Sequence, residues 1–129
     1  NLFFNLKIFT TSKISKYDPP MDGLLTNFNT LIEKYNNFFF DCDGVLYAGG
    51  HKFEKAFKTL EKLQQLDKKM FFITNSSGRS RAVFHEKICK HGFRADIESA
   101  YPSCYLSAVY IKLNNPSVKK VYVIGGQGI

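Results

Sequence analysis

The sequence has no tryptophan, only three cysteines, four prolines and two methionines among its 129 residues. No apolar run approaches the ~20 residues that cross a bilayer, so no transmembrane helix is expected. The first residues do not form a secretory leader either, because Asn5 and Lys7 interrupt their apolar character. Cys42, Cys89 and Cys104 have neither the even count of a disulfide framework nor the close pairing of a metal site. Free thiols of this kind point to a reducing compartment, the cytoplasm. Acidic residues are the minority, 11 against 18 basic ones, for a formal net charge of +7. That excess attracts anions at long range without choosing among them. The basic residues are scattered, densest at Lys68-Lys69 and from Arg79 to Arg81, so a nucleic-acid surface is the weakest reading.

What is present is apolar and aromatic, with 13 Phe and 7 Tyr, which argues for a packed domain rather than disorder. The length allows one small domain. Residues 1–20 mix Phe and Ile with polar residues in no sustained period and end in Pro19-Pro20, so they are expected to be an N-terminal extension. Residues 21–129 read as one α/β unit. The lack of an initiating Met and the ending at Ile129 suggest a piece of a longer chain.

Within that unit, Leu24, Phe28, Leu31 and Ile32 share a helical face over Asp22 to Tyr35. Phe38-Phe39-Phe40 then runs into Asp41 as an all-apolar strand, expected to be buried on both faces. Phe53, Ala56, Phe57, Leu60 and Leu63 form the stripe of a helix over 53–67, and Met70 to Ile73 form the next strand. A helix from Ser80 to His91 stops at Gly92, a C-cap signal. Residues 103–113 place Leu106, Val109, Tyr110 and Leu113 on a further helical face, and Val121 to Ile124 read as a third buried strand. The alternation predicts a Rossmann-like parallel sheet with flanking helices.

In an open α/β sheet, ligands bind outside the carboxyl ends of the strands. The first two strands deliver Asp41-Cys42-Asp43-Gly44 and Thr74-Asn75-Ser76-Ser77 to that edge. Two carboxylates one residue apart, facing hydroxyl and amide groups, suit phosphoryl transfer through a covalent aspartyl intermediate. One attacks phosphorus, while the other protonates the leaving oxygen and then activates water. Two carboxylates and a phosphate dianion repel one another, and Mg²⁺ would relieve that repulsion. Taken singly, Asp-x-Asp-Gly is as often a plain turn and Thr-Asn-Ser-Ser a plain helix cap. Their joint occurrence after consecutive strands favours the chemical reading.

The segments FFFDCDGVLYAGG and FFITNSSGRSR resemble motifs I and II of haloacid-dehalogenase-type phosphatases, and most closely the phosphoglycolate phosphatase and 4-nitrophenyl phosphatase branch. The likeness extends through SCYLSAVYIKL and KKVYVIGGQGI. It implies Asp41 as nucleophile and Asp43 as general acid/base, the two also holding Mg²⁺, with Asp43 offering its backbone carbonyl. It further implies that Thr74, Asn75 and the Ser76 amide hold the phosphoryl group, that Gly44 allows the tight turn, and that Val45 to Gly50 form a small flap. Ser76 and Gly78 depart from the second Asn and the Ser or Thr usual in that branch. The basic residue of motif III and the acidic residues of motif IV would follow a cap domain inserted beyond the third strand, so an incomplete core without cap is expected here.

The resulting expectation is Mg²⁺-dependent hydrolysis of small phosphate monoesters by the full-length protein, with these residues inactive alone. The partner would be a small phosphorylated metabolite, with no membrane and no nucleic acid, and homo-oligomerisation of the longer protein is compatible with it. The rival is a non-catalytic phosphate-binding or scaffolding protein on the same fold. Gly125-Gly126-Gln127-Gly128 lacks dinucleotide-loop spacing, and His51, His85 and His91 lack metal-site partners. Cys42 should point away from the aspartates into packing. Arg79 and Arg81 either steer anions or face solvent.

Overall fold

The computed structural model describes residues 28–126. Helix α1 (Phe28–Lys34) leads into strand β1 (Asn37–Asp41), followed by the short strands β2 (Tyr47–Ala48) and β3 (His51–Lys52). Helix α2 (Glu54–Gln65), strand β4 (Lys69–Thr74), helix α3 (Arg81–Lys90), strand β5 (Ala100–Pro102) and helix α4 (Ser103–Asn114) complete the order. The main sheet is parallel, in the order β1-β4-β5, with Phe40 opposite Phe72 and Asp41 opposite Ile73. Parallel neighbours need a crossover, supplied by α2 between β1 and β4 and by α3 between β4 and β5. Strands β2 and β3 form a separate antiparallel hairpin.

Local signals account for the helix positions. The apolar stripe of α2 puts Leu60 and Leu63 in the interior, with Ala56 and Phe57 packed beside them. Ser80 caps α3 by accepting from the Val83 amide at 3.4 Å. Gly92 ends α3 at φ +87°, its N–H donating to the Cys89 carbonyl at 2.8 Å. This left-handed backbone is open to glycine and strained for other residues.

The core lies between one face of the sheet and the helices α2 and α3. Phe72 and Ala100 meet Leu60, Phe84, Ile88 and Phe93 there, joined by Cys42, Leu46 and Tyr47 from the segment after β1. Each large apolar side chain so buried contributes about 1.5–3 kcal/mol. The opposite face carries an aromatic row in which Phe39 stacks on Phe71 at 4.8 Å and Phe71 lies 6.2 Å from Tyr101.

Three expectations need correction. Strand β1 is not buried on both faces: Phe38 and Phe40 are half-buried while Phe39 is 64% exposed. Helices α2 and α3 pack on the opposite face, α4 reaches the Phe39 face only at Tyr101, through Tyr105, and among the described residues the outer edge of β1 has no partner strand. Val121 to Ile124 are not a strand; Tyr122 and Ile124 are 92% and 88% exposed. Val121 and Val123 instead line a groove against Tyr105, Ala108 and Ile111 of α4. The third strand is β5, only three residues long and ending in Pro102, which has no N–H to donate and so offers little edge for a further strand. Finally, α4 buries Cys104 and half-buries Leu106 and Val109, but leaves Tyr110 and Leu113 exposed.

The expected extension 1–20, the start of the first helix and Gln127-Gly128 lie outside the described residues. Among the described residues no helix is long and apolar enough to cross a membrane.

Candidate active site

Strand β1 ends on Asp41, and the chain then turns at Gly44, whose φ of +83° suits glycine. The turn is closed by the Gly44 amide donating to the Tyr47 carbonyl at 2.7 Å and the Leu46 amide donating to the Cys42 carbonyl at 2.9 Å. The β2–β3 hairpin follows as the expected flap, extended to Lys52. Tyr47 anchors it. Its buried ring stacks on that of His91 at 4.2 Å and 8°, and the Lys87 ammonium lies 4.3 Å from its centroid. Lys87 and His91 are one turn apart on α3, so the flap is clamped to that helix.

Cys42, between the aspartates, is fully buried, as alternation requires. Burial, reinforced by the charges of Asp41 and Asp43, pushes its thiol up to about 12. It is therefore a packing residue and no nucleophile at neutral pH. Burial also raises the pKa of Tyr47 and lowers that of His91. The Tyr47 hydroxyl is buried without a hydrogen bond of ordinary geometry.

Asp41 is exposed at the strand end, its Oδ1 accepting from the Cys42 amide at 2.9 Å. Asp43 is held on both oxygens: Oδ2 accepts from Thr74 Oγ1 at 3.3 Å, and Oδ1 accepts from Lys87 Nζ at 2.8 Å. Thr74 is buried at the end of β4, and its Oγ1 accepts from the Ser76 amide at 3.1 Å. The Asn75 carbonyl accepts from Ser103 Oγ at 2.9 Å, fixing the loop after β4 to the start of α4.

A cleft of about 290 Å³ is lined by Asp43, Thr74, Ser76, Arg79, Phe84, Lys87 and Pro102. Asp43, Thr74 and Ser76 thus meet in one place, while Asp41 and Asn75 sit at the same strand ends without lining it. A larger hollow of about 440 Å³ opens by Lys69 and Met70, at the amino end of β4. The smaller cleft is the better candidate because parallel sheets bind ligands at their carboxyl edge.

The two arginines part company. Arg79 lines the cleft, whereas Arg81 is structural, its Nε donating to the Ala100 carbonyl at 2.9 Å and its guanidinium lying over Tyr105 and Tyr101. Gly126 comes against the loop after β4; a Cβ there would stand 3.2 Å from the Gly78 carbonyl oxygen. Among the described residues no group of three His, Cys, Asp or Glu side chains could hold a metal, and His85 instead contacts the Ala95 carbonyl at 2.8 Å. Sequence reasoning missed Lys87. The available signal was its place beside Phe84 and Ile88 on the inner side of α3, an unusual position for an ammonium group.

Comparison with known proteins finds relatives among phosphatases. The chain is 41% identical to a 4-nitrophenylphosphatase of Schizosaccharomyces pombe, in a match covering 79% of this chain and 35% of that one. It is 37% identical to phosphoglycolate phosphatase 2 of Arabidopsis thaliana, covering 81% and 35%. Among solved structures, a p-nitrophenyl phosphatase from Archaeoglobus fulgidus superposes with a TM-score of 0.67 at 27% identity, covering 72% of this chain and 35% of that one. The chain thus spans about a third of the length of these relatives. Residues 38–129 match the family described as haloacid dehalogenase-like hydrolase, a span that begins one residue into β1 and takes in both strand ends of the cleft. With the parallel sheet and the paired aspartates at its carboxyl edge, this chain belongs to that haloacid dehalogenase-like hydrolase family.

Proposed function

We propose that the whole protein hydrolyses small phosphate monoesters of the phosphoglycolate or 4-nitrophenyl phosphate kind through an aspartyl-phosphate intermediate. The observation that carries this reading is the meeting of two strand ends, the Asp43 carboxylate lying 3.3 Å from the Thr74 hydroxyl in a cleft that also holds Arg79 and Lys87. Asp41 is the nucleophile: its carboxylate oxygen bonds to phosphorus as the ester oxygen leaves, and Asp43 gives that oxygen its proton. Asp43 then takes a proton from the water that attacks the intermediate, releasing inorganic phosphate and regenerating Asp41. Thr74, Asn75 and Ser76 hold the phosphoryl oxygens by hydroxyl and amide groups.

Asp41 and Asp43 are hard oxygen donors at the same edge, and Mg²⁺ is commonly bound by one or two carboxylates together with water and substrate phosphate. The donor set therefore fits Mg²⁺. Held by the Asp41 carboxylate and the Asp43 backbone carbonyl, the ion would neutralise charge between carboxylates and phosphate. The ligand is a small phosphorylated metabolite rather than nucleic acid or membrane. Three free thiols favour a reducing, cytoplasmic setting.

The test is phosphate release from 4-nitrophenyl phosphate and phosphoglycolate by the whole protein, with and without chelator. Turnover that stops on chelation and returns with Mg²⁺ supports the reading. Tight phosphate binding with no turnover would favour the non-catalytic phosphate-binding alternative.

A further inference from the structure

We propose that Lys87 is a positioning residue for Asp43, aiming one carboxylate oxygen at the phosphate-holding hydroxyl while tying the flap to the same helix. The inference rests on the proposed hydrolysis for its chemistry, and on geometry alone for the pairing. Lys87 donates to Asp43 Oδ1 at 2.8 Å from a residue 44 positions away in sequence. Thr74 donates to the other oxygen, Oδ2. With both oxygens held from different elements, the plane of the carboxylate is fixed, and Oδ2 is the oxygen turned toward Thr74.

The contrast with the next basic residue of α3 is informative. Lys90 pairs with Glu86 across one helical turn, with side chains 73% and 60% exposed, and such pairs contribute little. The Lys87 and Asp43 side chains are 24% and 47% exposed, and the ammonium also lies 4.3 Å from the centroid of the buried Tyr47 ring. A lysine that gives up rotamer freedom in this way is held for a geometric result: the turn after β1, the flap and α3 meet at its ammonium group. Because Asp43 would offer the metal its backbone carbonyl, the side chain is available for this hold.

Positioning predicts a loss in kcat rather than in KM. In the whole protein, Lys87→Met should lower kcat for 4-nitrophenyl phosphate by about 10–100-fold, since an ångström of misplacement costs on that order, while KM stays within about twofold. Lys87→Arg should restore part of the loss, and Lys90→Met should change neither constant. Lys87→Gln serves as a second variant if Lys87→Met does not fold.

A second readout uses the chain without turnover. The side-chain carboxyl ¹³C resonance of Asp43 should move in Lys87→Met and stay in place in Lys90→Met, with the backbone amide spectrum of β4 preserved in both. An unmoved Asp43 resonance overturns the pairing. A rise in KM at constant kcat, in an active wild type, overturns the positioning role. Absence of phosphatase activity in the wild-type whole protein would instead sink the proposed hydrolysis, leaving the carboxyl resonance to decide the pairing.

Discussion

The two faces of the parallel sheet are built from alternate residues of the same strands, yet they have different roles. On the helix-covered face, Phe40, Phe72 and Ala100 pack with Leu60, Phe84 and Ile88, and Thr74 closes the buried row at the carboxyl edge. On the other face Phe39 and Phe71 stack on each other with Phe39 largely exposed, and the row ends on the exposed Asp41. The covered face supplies stability and orients Asp43 through Thr74. The other face is less fully buried and ends on Asp41, the nucleophile proposed above. Fold and chemistry can therefore be perturbed separately, one residue apart.

The largest effect is expected at Asp41. Asp41→Asn should reduce phosphate release by the whole protein to background, because an amide is a poor nucleophile, while its urea midpoint barely moves, as for exposed substitutions generally. Asp43→Asn should cost roughly 10²–10⁴-fold through loss of proton transfer. A turnover-competent Asp41→Asn protein would refute the role given to the open face.

Stability should split the other way. Phe72→Ala, at a fully buried site, is expected to cost about 3–5 kcal/mol. Phe39→Ala should lose about 0.5–1.5 kcal/mol, the worth of its ring stack on Phe71. Chemical denaturation of both variants would measure this, and equal losses would mean that the second face is covered as well as the first.

A smaller effect is expected from the thiol of Cys42. Burial, with the charges of Asp41 and Asp43 beside it, pushes the thiol up to about 12 in the folded chain. The stability tied to the neutral thiol is therefore complete below pH ~9 and lost as pH rises toward 12. The burial-raised hydroxyl of Tyr47 acts in the same direction. Denaturation of Cys42→Ala between pH 9 and 12 should show a shallower decline than wild type; an identical slope would remove Cys42 from the account. Alkylation at pH 8 should label the exposed Cys89 well before the buried Cys42.

The smallest effect is expected at Tyr47. The Tyr47 hydroxyl is buried with only the weakly bonding Cys42 thiol beside it, so removing it relieves a desolvation cost, and Tyr47→Phe should leave stability unchanged or raise it by about 1 kcal/mol. A clear destabilisation would show that the contact with the Cys42 thiol offsets that cost and tightens the flap beyond the ring contacts.

Much of this arrangement was legible in residue order. The stripe of α2, the Ser80 cap and the Gly92 stop fix helices by local physics, and the structure places them within a residue or two of expectation. The burial of Cys42 followed from strand alternation. Strand β5 escaped notice because three residues ending in proline carry no periodicity, and their pairing with Phe72 to Thr74 is a long-range choice. Val121 to Ile124 failed in the opposite sense. An apolar run marks what can be a strand, but a ladder also needs an edge to pair with, and none meets this segment among the described residues.

By itself, then, the sequence determined the alternation of strands and helices, the family, and the delivery of Asp41, Asp43 and Thr74 to strand ends, because these depend on short-range periodicity and on motifs a few residues long. Only the tertiary structure decided which face of the sheet is covered, that Arg81 serves packing while Arg79 lines the cleft, and that Lys87 reaches Asp43. Those outcomes depend on which helix lies over which strand, and 44 residues of chain separate the ammonium from the carboxylate it holds. No local pattern encodes that distance; it is set when α3 packs Phe84 and Ile88 into the core and carries Lys87 with them.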